Sequence, residues 1–286
     1  MLPPNLTALN STEGKQLFAE SLSAGNLEAY FPLSEQFLTQ SDPAYCGVAT
    51  LAMVLNALSI DPNVRWKGGW RWFNEDVLLS SGQQCCMTQD YVLRYGITMD
   101  EFVQMARCFG ARVDIRRPAC DTGNSITNLA SLKKVPAEYS IESFRNEVQQ
   151  LTFTQSDNNN NRNKHAFLVA SFCRAKLNQT GEDGHFSPIA GYHARTDQVL
   201  ILDVARFKYA PYWVPIETLF EAMQAKDLTV DRKRGWLIVR ASMPDLVEKS
   251  SEKARPGDLV FERREVCPVG GIKVAYCPVV LEGREC

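Results

Sequence analysis

The sequence predicts an α+β fold, with a helical first lobe and an antiparallel β-sheet second lobe. Three observations predict it. Apolar residues in the first half recur at helical spacing, at Met99, Phe102, Val103 and Ala106 and again at Ile141, Phe144, Val148 and Leu151. Beyond residue 165 come short β-rich runs: AFLVASFC (166–173), HFSPIAGYH (185–193), QVLILDVA (198–205) and GWLIVRA (235–241), each set off by polar turns. No internal repeat breaks either half, so two lobes of one unit are expected.

The first helix should begin near Glu13, with Ser11 and Thr12 as cap candidates and Leu17, Phe18 and Leu22 turned inward. Pro43 biases Asp42 away from helical geometry, so the helix that SDPAY feeds should start just after Pro43, near Cys46. In WKGGWRWF, Trp66, Trp70 and Trp72 read as core packing, with a substrate-cleft wall as the alternative. MDEFVQMARC (99–108) is a helix stopped by Gly110, and Ser140 caps the helix that follows it. The polar stretch SDNNNNRNK (156–164) reads as a surface loop or a short disordered insertion, without expected chemistry. Pro215 opens a helix, PIETLFEAMQAK, among the strands. Periodicity ends near Met243, which divides the chain into a domain at 1–242 and a charged, cysteine-containing tail at 243–286.

Composition narrows the partners. A net charge of −2 supplies no general attraction for nucleic acid or an anionic membrane. No apolar segment follows MLPPNLTALNSTEGK, so neither a secretory signal nor a membrane span is expected. Nine cysteines, an odd count without disulfide-framework spacing, read as free thiols in a reducing cytoplasm. The N-x-[ST] matches at Asn5, Asn10 and Asn178 are then chance.

Cys46 stands out because it sits at the mouth of a helix, where the helix dipole stabilises a thiolate. A nucleophilic thiol also needs a base and a group that orients the base. Of three histidines, His165 adjoins the asparagine-rich loop, His193 closes a strand, and His185 opens a strand after the small turn GEDG. Asp203 ends the apolar run VLILD, eighteen residues past His185, and a hairpin turning at Arg195–Asp197 would set the two side by side. Gln40, six residues before Cys46, can supply an oxyanion donor together with the Cys46 backbone N–H. Gln, Cys, His and Asp in this order form the papain-type sequence of a cysteine nucleophile's site.

Four blocks, QSDPAYCGVATLAMVLNALSIDP, WKGGWRWF, TGEDGHFSPIAGYH and LILDVARFKYAPYWVP, closely resemble the phytochelatin synthases, glutathione γ-glutamylcysteinyltransferases. The resemblance spans roughly residues 11–240. It implies a papain-like cysteine protease fold, in which a thiolate cleaves the Cys–Gly bond of glutathione and passes γ-Glu-Cys to a second glutathione or a growing phytochelatin. By matching, Cys46 carries over as nucleophile, His185 as general acid/base, Asp203 as orienter and Gln40 as oxyanion donor. Arg206, Lys208 and Tyr209 lie in a matching block and are the substrate-binding candidates, since glutathione carries two carboxylates. The resemblance further implies no tightly bound cofactor, with Cd²⁺ or Zn²⁺ acting as metal–glutathione thiolates, and it leaves a homodimer open. Cys85, Cys86 and Cys108 are the metal candidates, against a reading as buried packing thiols. In the tail, Cys267, Cys277 and Cys286 fit no zinc pattern and suggest the remnant of a second domain. Two other functions compete: hydrolysis of glutathione at the same site, and metal–thiolate binding without catalysis.

Overall fold

The computed structural model describes residues 2–80, 87–119, 140–153, 166–181 and 184–242. Its centre is a seven-stranded sheet in the order β1-β6-β5-β4-β3-β9-β2, every neighbouring pair antiparallel. The inner strands come from the second half of the chain: β3 (Ala166–Cys173), β4 (Gly184–His193), β5 (Gln198–Ile201), β6 (Tyr212–Pro215) and β9 (Gly235–Ala241). The first half contributes both edges, β1 (Thr7–Ala8) and β2 (Ala111–Arg116). A two-stranded ribbon, β7 (Lys226–Asp227) with β8 (Arg232–Lys233), stands apart.

Helices cover both faces of the sheet. On one face lie α1 (Thr12–Ser23), α2 (Tyr30–Glu35), α3 (Cys46–Ala57), α4 (Glu75–Leu79), α5 (Gln89–Tyr95) and α6 (Met99–Cys108), packed on Phe167, Val169, Phe186 and Leu200. On the other face α7 (Ile141–Thr152) and α8 (Ile216–Met223) pack on Leu168, Phe172, Ile189 and Trp236. Two covered faces explain why β3 is buried at every residue and reads as a continuous apolar run rather than an alternating one. The α+β class therefore holds, but the helical and β halves interleave as three layers.

Several caps act as expected. Ser11 accepts from the Gly14 N–H, and Ser140 accepts from the Ser143 N–H. Leu22 departs from expectation: it is exposed, while Leu17 is buried. The tryptophans depart further. Trp66, Trp70 and Trp72 are 41, 76 and 39% exposed. They lie on a tight turn closed by Trp66 N–H to Trp70 O and Trp70 N–H to Lys67 O, with Gly68 at a φ of 54°. The core position goes instead to Phe73, fully buried and held by paired hydrogen bonds with the Asn56 side chain. The asparagine-rich loop, His165 and the 243–286 tail lie outside the described residues.

Candidate active site

The loop ahead of α3 sets the position of Cys46. Asp42 is extended, and its carboxylate accepts from the Ala44 N–H at 2.9 Å, capping the short 3₁₀ turn Pro43–Tyr45. That turn runs directly into α3, whose first residue is Cys46. Every residue from Gly47 to Leu55 is buried, so α3 is a central helix enclosed on all sides. Two contacts set its distance from β4. A Cβ on Gly47 would lie 2.4 Å from Ile97 Cγ1 and 3.3 Å from the Phe186 ring, so the absent side chain permits the close approach. Thr50 Oγ1 donates to the Phe186 carbonyl, next to His185, at 3.1 Å.

The β4–β5 hairpin supplies the other two groups. It turns through 194–197, with Asp197 in the left-handed region at φ 51°. A bulge between Ile189 and Gly191 shifts the register, and continuing it places Asp203 opposite Ser187, two residues from His185 on the same side of the strand. His185 Nε2 stands 2.9 Å from Asp203 Oδ1 and 2.9 Å from Ser187 Oγ. The imidazole and the Cys46 thiol are near enough for each to shift the other's pKa. With Nε2 committed to Asp203, Nδ1 is the nitrogen left for sulfur, a proton assignment made from the hydrogen-bond network.

Arg174, which the sequence reading did not single out, sits behind this chain. It follows β3 directly and is 3% exposed. Its guanidinium grips Asp203 through two 3.0 Å bonds, gives a third to Gln179 Oε1 at 2.6 Å, and brings Nη2 within 2.9 Å of His185 Nε2. A guanidinium only donates, so with the Nε2 proton directed at Asp203 the third group is a neighbouring charge. The Tyr209 ring lies against Arg174, 5.2 Å from its central carbon. One signal could have found Arg174: a cation at the end of an eight-residue apolar strand must bury its charge or turn away.

These charges oppose one another in a readable way. Burial alone would push the Cys46 thiol up, but the hydrogen bond and charge of His185, the Phe186 N–H and the Arg174 cation bring it below its ordinary value. Burial likewise works against the His185 imidazolium and Arg174 repels it, yet Asp203 raises its pKa on balance. Burial disfavours charge on Asp203, and the cations His185 and Arg174 overcome that to hold the carboxyl far below the usual range. A lowered thiol beside a raised imidazole favours the thiolate–imidazolium pair.

Gln40 is 3% exposed, and its backbone N–H bonds to Val204 O, one residue past Asp203. Its Nε2 donates to the carbonyls of Asp42 at 2.8 Å and Pro43 at 2.9 Å. Both amide protons are thus engaged in this conformation, while Oε1 is buried without a partner among the described residues. Arg206 is exposed, its guanidinium stacked 4.7 Å over Phe37. Lys208 is exposed with its ammonium lying over Gly181, where a Cβ would fall 2.0 Å from Nζ. Tyr209 is buried, and its hydroxyl accepts from the Thr180 N–H at 2.7 Å. It braces the loop before His185 from within.

Of the metal candidates, Cys85 and Cys86 lie outside the described residues and Cys108 is exposed at the end of α6. Among the described residues no group of three metal-binding side chains converges. Cys46 and Cys173 are free thiols. No described helix is long and apolar enough to cross a membrane.

Glutathione gamma-glutamylcysteinyltransferase 1 of Arabidopsis thaliana is 41% identical over 237 residues, which is 83% of this chain and 42% of that one. Its namesake from Triticum aestivum is 42% identical across 85% of this chain and 43% of its own length. A glutathione gamma-glutamylcysteinyltransferase of Schizosaccharomyces pombe is 36% identical across 83% and 50%. The chain thus spans half or less of the length of these relatives. Among solved structures, a double glycine motif protease from an AMS/PCAT transporter, in complex with the leader peptide, aligns at a TM-score of 0.37 and 13% identity, over 72% of this chain and 90% of that one. The phytochelatin synthase profile matches residues 1–236, and the chain belongs to the phytochelatin synthase family.

Proposed function

We propose that this chain is a dipeptidyl transferase that makes phytochelatins from glutathione through a Cys46 acyl-enzyme, on a papain-like arrangement of nucleophile helix and β-hairpin. The observation that carries the reading is the His185 imidazole held 2.9 Å from Asp203 beside Cys46 at the mouth of α3, with the thiol lowered and the imidazole raised. The relatives' names supply the substrate class.

The Cys46 thiolate adds to the carbonyl carbon of the Cys–Gly bond, and the carbonyl π electrons move onto oxygen. The developing oxyanion faces the amino terminus of α3, where the Cys46 N–H can donate to it. Gln40 completes the hole by turning one amide proton from its loop carbonyl to the oxyanion. The imidazolium then protonates the glycine nitrogen, the C–N bond breaks and glycine leaves. What remains is the γ-Glu-Cys thioester of Cys46 with a neutral His185. The amino group of a second glutathione attacks the thioester and His185 takes its proton. The C–S bond breaks and the thiolate returns. Asp203 keeps the imidazole in the required tautomer throughout. The exposed guanidinium of Arg206 and ammonium of Lys208 can meet glutathione carboxylates, while Tyr209 contributes by bracing the loop before His185. Metal ions enter as glutathione thiolates, on the substrate side. We assign the reaction to residues 1–242.

Incubation with glutathione and Cd²⁺, followed by mass spectrometry, tests this. Glycine release with (γ-Glu-Cys)n-Gly oligomers is expected. Free γ-Glu-Cys without oligomers would make water the acceptor, and no glycine from the wild-type chain would overturn the assignment.

A further inference from the structure

Glu75 opens α4, where Asn74 caps the helix by accepting from the Val77 N–H at 2.9 Å. Its carboxylate reaches back across the site to Ser41. The Ser41 N–H donates to Oε1 at 3.0 Å and Oε2 at 3.2 Å, and the Ser41 hydroxyl donates to Oε2 as well. Neither residue belongs to the core, yet their contact spans 34 positions of sequence. It also closes a circuit around the nucleophile helix. Asn56, in the last turn of α3, holds Phe73 through two bonds, Glu75 follows two residues later, and Ser41 lies five residues before Cys46. The loop is thereby pinned at three consecutive residues: Gln40 to Val204, Ser41 to Glu75, and Asp42 to the Ala44 N–H. Burial, and then the nearby Asp76 and Asp42, disfavour a charge on Glu75, and the Ser41 bonds offset part of that cost.

We propose that Glu75 is a positioning residue for acylation: it clamps Ser41 and so holds the neighbouring Gln40 amide where it can reach the developing oxyanion. The inference rests on the reading of Gln40 as an oxyanion donor. A group one residue from a donor matters because displacement of about 1 Å can cost roughly 100-fold in rate. The hydrogen bonds of the Glu75 carboxylate among the described residues all go to Ser41, none to Cys46 or His185, so the thiolate should form without it.

Two rates measured on the full chain separate these effects: glycine release in a single turnover at saturating glutathione, and alkylation of Cys46 by iodoacetamide across pH. Glu75→Ala should slow glycine release about 10- to 100-fold, with the alkylation profile and the half-saturating glutathione concentration unchanged. Glu75→Gln should recover most of the loss, because its oxygen still accepts from the Ser41 N–H and its NH₂ can bond the Ser41 hydroxyl. Ser41→Ala, which removes one of the three bonds, should slow release several-fold and serves if Glu75→Ala fails to fold. In the Gln40→Ala background Glu75→Ala should add little, since the clamp acts through that side chain. Wild-type acylation in Glu75→Ala while Gln40→Ala is slow overturns the clamp alone. Wild-type acylation in Gln40→Ala overturns the oxyanion reading. Alkylation falling in step with acylation, or fully multiplicative single effects, places Glu75 on a different path and overturns the proposal.

Discussion

Arg174 exerts two opposed effects on His185. Its planar fork fixes both oxygens of Asp203, which orients the carboxylate toward Nε2, while its charge works against the imidazolium. Arg174→Lys keeps the charge but cannot grip both oxygens, so kcat should fall about tenfold with little change in KM, as expected when orientation rather than binding is lost. Arg174→Met leaves the Asp203 carboxylate buried with one partner fewer and should cost about 3–5 kcal/mol, read by urea denaturation. The thiolate can be followed directly. Cys46 should alkylate well below the ordinary thiol pKa of about 8.5, and Asp203→Asn, which removes the group that raises His185, should move that midpoint upward. Cys46→Ser should release no glycine. The stability signs follow from the same shifts. The Asp203 contribution is present above its unfolded pKa of about 3.9 and fades as pH falls toward the depressed native value. The His185 contribution is complete below about 6.5 and is lost as pH rises through its raised native value. Cys46, His185 and Asp203 were legible because a helix-mouth cysteine and a hairpin's arithmetic are local signals. Arg174 was not, because its partner lies 29 positions away and only the folded sheet brings them together.

At the scale of elements, the contact between α3 and β4 decides whether the thiol and the imidazole meet. Gly47→Ala would drive a methyl into Ile97, so α3 must move or Ile97 must repack. We expect glycine release to fall at least tenfold, with a smaller loss of thermal stability, because helix displacement acts first on the Cys46–His185 distance. The hairpin has its own anchor at the opposite end. His193 is 3% exposed and bridges Thr196 at 2.7 Å and Glu20 on α1 at 2.9 Å. Arg195, Gln16 and His193 together bring the Glu20 carboxyl down to about 2. His193→Ala should therefore lower the melting temperature, with kcat near wild type at a temperature where the variant stays folded; a kcat loss like that of His185→Ala would refute the division. The strands at 166–173 and 235–241 were readable from their continuous apolar runs. Strand β2 was not: ARVDIR mixes charge with apolar residues, and pairing with β9 along all six positions supplies what its composition lacks. The exposed tryptophans reversed the expectation for a similar reason, since aromatic content alone does not say which side of a turn faces the core.

Across the whole molecule, Cys46 comes from the helical half, His185 from β4 and Asp203 from just past β5, so the three meet only when both halves are docked. In the proposed reaction this layout forms the acyl-enzyme but does not by itself exclude water from the thioester. Transfer to a second glutathione can win only if the acceptor is held beside the acyl-enzyme, where positioning can reach effective molarities on the order of 10⁵–10⁸ M. Arg206, exposed and stacked on Phe37 three residues after Asp203, is the cation we place in that acceptor wall. Arg206→Ala should raise the share of γ-Glu-Cys released to water relative to oligomers while leaving the acylation rate less affected. Thiophilic ions bind glutathione through its thiolate, which makes a metal-bridged pair of glutathiones a suitable acceptor. The sulfur of S-methylglutathione cannot form a thiolate, so this analogue separates a metal acting through substrate from one acting through protein. We expect it to be transpeptidated without added metal, and added Cd²⁺ to leave its rate unchanged. Turnover of S-methylglutathione that still requires Cd²⁺ would demand an ion held by the chain itself, and substitution of Cys85, Cys86 and Cys108 would then be the direct way to find its ligands.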